Sequence, residues 1–391
     1  MKTVFKPLQR KHHSLTGRIT LTLAHAAFKA VKGNRGAAGI DKVSIQMFGA
    51  NLEENLASLV RQLKDGTFQP KPLRRHYIDK GGGKMRPLGI PAVRDRVGQE
   101  ILRRLLQPIF EPQFHPHSYG FRPARNCHQA VRKAIELHEG EGLKWVMDAD
   151  IQGFFDNLPH QIIMQAVAAQ VADGNILRLT EAFLKAGVME NGVFKPTTVG
   201  TPQGGVISPL LANIVLHHLD TRLEQAGMRF VRYADDFIVA AATQRQAKEA
   251  MDLAASTLGE LGLTLSPEKT VVTTYGKGYS FLGFVISSRS KRVRPKSIGK
   301  FKDKVRGLTI RKHNLDPACI ERLNRVITGT ARYFATEFFT GREVFHKLDS
   351  WIRMRLRAMK YKRKSRNDNW RFRNSKFKKL GLLSLEDFCG G

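Results

Sequence analysis

The sequence predicts an α+β fold, and three observations carry that prediction. Segments of helical period alternate with short β-prone runs as far as about residue 290, after which the pattern is helical only. The chain has 391 residues, 42% of them apolar, enough to bury a sizeable core without staples. Its charge is strongly uneven. The net charge is +31, from 65 Lys and Arg against 34 Asp and Glu, and residues 289–379 hold 29 of those basic side chains against 7 acids.

Such an excess of positive charge points to a polyanionic partner, nucleic acid first. A basic run is ordinarily a solvated face or a disordered tail. Here Phe345, Leu348, Ile352, Leu356 and Met359 recur at helical spacing within it, which predicts folded basic helices. Cys127, Cys319 and Cys389 lie far apart, and no Cys-x-x-Cys pair occurs, which argues for a reducing compartment and against a structural zinc site. No run of 18 apolar residues exists, so no membrane partner is expected.

Taken in order, Ile19, Leu21, Leu23, Ala26, Phe28 and Val31 form an amphipathic element before the Gly-rich turn Lys32 to Gly39. Leu52, Leu56, Leu59, Val60 and Leu63 share one face of a helix that Asp65-Gly66 ends. Residues 73–91 read as two strands around Gly81-Gly82-Gly83, followed by a helix over Val93–Phe110. A short strand from Lys144 to Ile151 ends in acids. Helix is expected again near 160–187, and a turn at Thr201–Gly205 opens a helix reaching about Gln225. Arg229–Ala241 reads as a hairpin with Ala234-Asp235-Asp236 at its tip. A helix over 244–262, one strand over Tyr279–Ile286 and basic helices over Lys296–Lys360 complete the reading.

The acids define the chemistry. Asp150 ends one strand and Asp235-Asp236 sit at a hairpin tip, each in an apolar β context where an unpaired carboxylate is costly. Carboxylate oxygens suit Mg²⁺, and two such ions about 3.5 to 4 Å apart are the usual device for phosphoryl transfer. A lone Asp-Asp pair would be ordinary turn chemistry. The surrounding residues decide the matter.

Tyr233-Ala234-Asp235-Asp236, followed by Phe237-Ile238-Val239, resembles the active-site hairpin of reverse transcriptases, and Asp150-Ile151-Gln152-Gly153-Phe154-Phe155-Asp156 resembles their first metal-binding motif. Between them lies Thr201-Pro202-Gln203-Gly204-Gly205-Val206-Ile207-Ser208-Pro209, and the order resembles the group II intron branch of that family. Arg86-Pro87-Leu88-Gly89-Ile90-Pro91, Ser118-Tyr119-Gly120-Phe121-Arg122-Pro123 and Phe281-Leu282-Gly283-Phe284 are further matches, and the likeness covers roughly residues 20 to 360.

The resemblance implies a right-hand polymerase with fingers, a palm of antiparallel sheet and packed helices, and an α-helical thumb. It divides the chain into an N-terminal extension (1–50), fingers and palm (51–288) and a basic thumb or maturase-like domain (289–391). It makes Asp150, Asp235, Asp236 and the Ile151 carbonyl ligands of two Mg²⁺ ions, with Mn²⁺ the expected substitute. Asp148 and Asp156 do not match ligand positions and read as strand-end and helix-start acids. Lys80, Arg86, Gly153, Phe154, Phe155 and Gln203 would line the nucleotide pocket, with Phe155 a steric gate favouring dNTPs. Lys269 matches the residue proposed to protonate pyrophosphate, and Tyr233 and Ala234 shape the hairpin. In the thumb, Arg332, Arg353 and Arg357 are expected to contact phosphates.

The implied activity is RNA-directed DNA polymerisation from a DNA or RNA primer on an RNA template, with a structured group II intron RNA as partner and roles in splicing and retrohoming. A free-standing enzyme of host repair or phage defence is the alternative, and a non-catalytic RNA-binding splicing factor a third reading. No Cys/His-rich nuclease segment follows the thumb motifs, so target-strand cleavage is not expected. The expected location is the bacterial cytoplasm or nucleoid, with an organelle the minor alternative.

Overall fold

Side chains of a strand alternate between two faces, so a strand that serves two cores must be apolar on both. The central strands here do that. A computed structural model of the chain describes residues 4–5, 11–79, 85–201 and 204–389. The strands are β1 (Leu73–Asp79), β2 (Met85–Ile90), β3 (Trp145–Asp150), β4 (Val188–Glu190), β5 (Val193–Lys195), β6 (Arg229–Tyr233), β7 (Asp236–Ala241), β8 (Val271–Thr274), β9 (Tyr279–Phe281), β10 (Phe284–Ile286) and β11 (Lys291–Val293). They form three sheets, ordered β2-β1-β4-β5, β6-β7-β3-β8 and β11-β10-β9.

In the second sheet Met147, Ala149, Phe230, Phe237 and Val239 face one core, together with the helices Ser208–Gln225 and Gln244–Glu260. Val146, Val231, Ile238 and Ala240 face a second core, together with the helix Cys127–Glu139 and the C-terminal helices. Asp148 and Asp150 share the parity of Val146, and Asp236 that of Ile238. The acids therefore continue the second face beyond its apolar residues, toward one end of the sheet.

Most expected elements are present: helices Leu52–Asp65, Val93–Phe110, Ser208–Gln225 and Gln244–Glu260, the β1–β2 pair, and the β6–β7 hairpin. The expected helix near 160–187 is two, His160–Ala168 and Gly174–Leu184, the second capped by the Asp173 side chain. The single strand expected over Tyr279–Ile286 is a hairpin instead. Leu282 and Gly283 both take positive φ (47° and 86°), which reverses the chain so that Phe281 pairs with Phe284. Helices Pro295–Leu308, Pro317–Phe334 and Arg342–Lys360 follow, and Phe345, Leu348, Ile352, Leu356 and Met359 of the last are all buried. Among the described residues no helix is long and apolar enough to cross a membrane.

One buried ion pair joins these layers. Arg232 of β6 and Asp220 of the helix Ser208–Gln225 are each 0% exposed. The guanidinium donates twice to the Asp220 carboxylate, from Nε to Oδ1 and from Nη2 to Oδ2, both at 2.6 Å. Its Nη1 donates to Asn213 Oδ1 (3.1 Å) and to the Ala234 carbonyl (3.0 Å). Asn213 in turn donates to the Gly120 carbonyl at 2.8 Å. A bidentate pair with its remaining donors satisfied tolerates burial, whereas a lone buried charge does not. Replacing Arg232 with Met should therefore cost about 3–5 kcal/mol of stability, measured by denaturant unfolding. The double variant Arg232→Met, Asp220→Leu should recover a large part of that loss, and a double variant no more stable than Arg232→Met would refute the account.

Candidate active site

Asp235 stands at the tip of a two-residue turn whose first residue, Ala234, has φ 58°, a conformation unusual for a residue with a Cβ. Two contacts hold it there. Arg232 takes the Ala234 carbonyl from below. From the side, the Ser118–Gly120 segment runs beside β6, with the Tyr119 N–H donating to the Arg232 carbonyl at 2.9 Å. A Cβ on Gly120 would lie 2.4 Å from the Ala234 nitrogen, so only glycine permits this approach.

The β3–β7 register sets Asp150 directly across from Asp236, with Asp148 two residues back on the same face. The carboxyls are crowded and partly desolvated. Burial, then repulsion from Asp148, Asp235 and Asp150, pushes the Asp236 carboxyl up to about 8. Burial raises Asp148 to about 7, against the attraction of Arg294 and with added repulsion from Asp150. Asp235 is raised by burial and by Asp150, while Lys269 and Arg86 pull it down. Asp148 is thus no solvated strand-end acid. It belongs electrostatically to the cluster, a role its position two residues before Asp150 on the same strand face could have signalled.

Lys269 comes from a loop laced to the end of β3. Ser266 N–H donates to the Asp150 carbonyl (2.8 Å) and Gln152 N–H to the Thr264 carbonyl (2.9 Å). This places Lys269 Nζ 2.6 Å from Asp150 Oδ2. Among the described residues no three His, Cys, Asp or Glu side chains already surround a point where a metal ion could sit. Yet the donor set is hard carboxylate oxygen, and protons and Lys269 now supply the positive charge the acids need. The residues fit a divalent cation in kind, with Asp150 released by Lys269.

The aromatic residues sort themselves. Phe154 is buried in the first core, so its expected place in the nucleotide pocket is corrected to core packing. Phe155 is half-buried, edge-on to Phe121 (centroids 6.4 Å apart), which in turn lies 6.4 Å from Tyr233. Gly153, at φ 55°, opens the short helical turn Phe154–Asn157 that carries both phenylalanines. The Phe155 carbonyl accepts from Thr201 N–H at 2.7 Å, which brings the following turn against the same site. Gly204 (φ 115°) packs on β2, where a Cβ would lie 2.5 Å from the Gly89 carbonyl oxygen. Buried Gln99 accepts from Val206 N–H at 2.6 Å. Arg86 is exposed on β2. Lys80 and Gln203 lie outside the described residues.

In the C-terminal helices Arg332 is exposed and Arg353 half-buried, with Nη2 on Ser350 Oγ (3.1 Å). Arg357 is a correction. It is buried, donates from Nε to the Phe372 carbonyl (2.8 Å) and from Nη2 to Asn374 Oδ1 (2.7 Å), and lies over the Phe377 ring. A guanidinium so occupied holds the C-terminal segment and is not presented to a phosphate. Arg232, Asp220 and Gln99, which the sequence motifs do not single out, had one signal in common: polar side chains within otherwise apolar segments.

An antiparallel palm sheet with acids at one end, an aromatic half-exposed beside them and basic helices alongside defines a reverse transcriptase. Residues 78–286 match the reverse transcriptase (RNA-dependent DNA polymerase) family and residues 298–378 the group II intron maturase-specific domain. The chain belongs to the group II intron reverse transcriptase/maturase family. It is 35% identical to protein YkfC of Escherichia coli (strain K12) over 69% of this chain and 81% of that protein. It is 42% identical to the group II intron-encoded protein LtrA of Lactococcus lactis subsp. cremoris over 55% of this chain, spanning 35% of LtrA. A putative COX1/OXI3 intron 1 protein of Saccharomyces cerevisiae is 28% identical over 66% of the chain and 37% of its own length.

The raised carboxyls set a pH dependence. Asp148 and Asp236 keep their protons when folded to well above the range, near 4, where an unfolded Asp ionises. Their contribution to stability is complete below about pH 4 and is lost as pH rises through about 7 to 8. In the metal-free protein Tm should fall between about pH 4 and 8 more steeply than in Asp148→Asn, and added Mg²⁺ should restore it at the upper end; parallel Tm curves for the two proteins would contradict this. Lys269→Met removes a competing cation from Asp150. An ion pair this exposed is worth about 0–1 kcal/mol, so Mg²⁺ affinity measured by calorimetry should rise by up to about fivefold.

Proposed function

We propose that this chain copies RNA into DNA at the Asp150–Asp235–Asp236 end of the palm sheet, and that its basic C-terminal helices bind a structured intron RNA whose splicing it assists. The observation that carries the first part is the register of Asp150 against Asp236, with Asp235 at the adjoining tip: three carboxyls held together at a cost that a cation would offset. Asp150, Asp235 and Asp236, with the Ile151 carbonyl, would hold two Mg²⁺ ions. When bound, such ions supply positive charge at the entering and leaving oxygens of the transferred phosphoryl group.

The protein's own groups prepare that centre. The carboxyls must release their protons as cations arrive, so binding and deprotonation are one process. Lys269 Nζ, freed from Asp150, is the nearby acid that can give a proton to the departing pyrophosphate. Arg86 on β2 lends positive charge toward the triphosphate, as its pull on Asp235 indicates. Phe155, backed by Phe154 and flanked by Phe121, presents a ring edge that would clash with a 2′ hydroxyl. The charge of residues 289–379 supplies phosphate contacts that read backbone and little sequence.

Primer extension on an RNA template tests this reading. Wild type should make DNA with dNTPs and Mg²⁺, Asp235→Ala should lose at least about a thousandfold in rate, and Phe155→Val should incorporate rNTPs at least about tenfold more readily. Failure of wild type and Asp235→Ala alike, with tight RNA binding by both, would leave a splicing factor without polymerase activity.

A further inference from the structure

The most exposed large ring among the apolar residues is Trp370, at 77%. The residues two positions to either side of it, Asp368 and Phe372, are buried. Asp368 is buried and paired with Arg363 (3.2 Å), and Phe372 is buried edge-on to Phe377 at 4.7 Å. Beneath them Arg357 is desolvated to hold the Phe372 carbonyl and Asn374. A segment pinned on both sides of one projecting indole is built to present that ring, because nothing in its own packing requires a tryptophan there.

The indole opens onto a cavity of about 700 Å³, the size of a small-ligand pocket. Ser350, Arg353 and Met354 from the middle of the helix Arg342–Lys360 line it, together with Lys364, Arg366 and Arg373. Residues 353–379 contain 13 Lys and Arg and a single acid, Asp368, which is the buried one. A flat π-face ringed by guanidinium groups, with amide side chains of Asn369 and Asn374 at hand, matches what an extruded base and its phosphates offer: stacking, charge and edge hydrogen bonds.

We propose that this cavity binds one unpaired RNA nucleotide, its base stacked on Trp370 and its flanking phosphates held by Arg353, Arg366 and Arg373. The site rests on the reading of the chain as an intron RNA binder and deepens it: it gives the C-terminal region a means of telling a bulge or loop from continuous helix. Phosphate contacts alone make no such distinction.

The test uses the full chain and two RNA hairpins, identical except that one carries a single bulged adenosine, with dissociation constants measured at one salt concentration. Wild type should prefer the bulged hairpin by about tenfold, within the range of a base–aromatic stack. Trp370→Ala should erase the preference while keeping its affinity for the paired hairpin, which also shows that it is folded. Trp370→Phe should retain much of the preference. Arg366→Ala and Arg373→Ala should weaken both hairpins and flatten the salt dependence by about one counterion each. Wild type that binds both hairpins equally, or Trp370→Ala that still prefers the bulge, overturns the site alone. Wild type that binds neither RNA overturns the RNA-binding reading along with it.

Discussion

The site depends on a buried charge. Arg232 lies on β6, an edge strand of the palm sheet, fully desolvated, and survives there because Asp220, Asn213 and the Ala234 carbonyl use its donors. The same fork therefore ties the helix Ser208–Gln225 to β6 and fixes the backbone one residue before Asp235. Through Asn213 it reaches Gly120, whose lack of a side chain lets its segment lie against the hairpin tip. An isolated hairpin would not hold Ala234 at positive φ or keep Asp235 in one place. Desolvation makes the arrangement costly to break in part and stable when whole.

The constraint propagates to the acids. Antiparallel register leaves no freedom in which residue faces which, so fixing the tip fixes Asp236 opposite Asp150 and brings Asp148 onto the same face. Their mutual repulsion is then a property of the sheet, offset by protons, by Lys269 and by Arg294. The rigidity of the sheet behind them holds these carboxyls together against that repulsion. The second core, which runs continuously from the palm strands into the C-terminal helices, supplies part of that rigidity and sets the basic helices beside the catalytic face.

Charge is used in two ways along the chain. In the palm a few ionisable groups are buried, Arg232 and Asp220 as a bidentate pair and the acids as a cluster at one end of the sheet. In the C-terminal region many are exposed and unpaired, which suits a partner whose phosphates are numerous and repetitive. Arg357 and Trp370 show the two uses side by side: a buried guanidinium secures the segment from which an aromatic ring and free arginines project.

Much of this was legible in the residues themselves. Period and punctuation marked the helices, the β6–β7 hairpin and the acid-ended β3, because those signals are local. The basic helix over residues 342–360 could be told from a tail because its apolar residues recur every three or four positions. The Asp150 and Asp235-Asp236 motifs were visible as acids in apolar surroundings. What sequence could not decide was pairing. That Tyr279–Ile286 folds back on itself, that Phe154 turns inward while Phe155 stays at the surface, that Arg357 is spent on Phe372 and Asn374, and that Asp148 joins the acid cluster all depend on what lies across a strand or beneath a helix. A side chain's type and spacing follow from the chain alone. Its burial and its partner are set by residues distant in sequence, and only the tertiary structure brings those into contact.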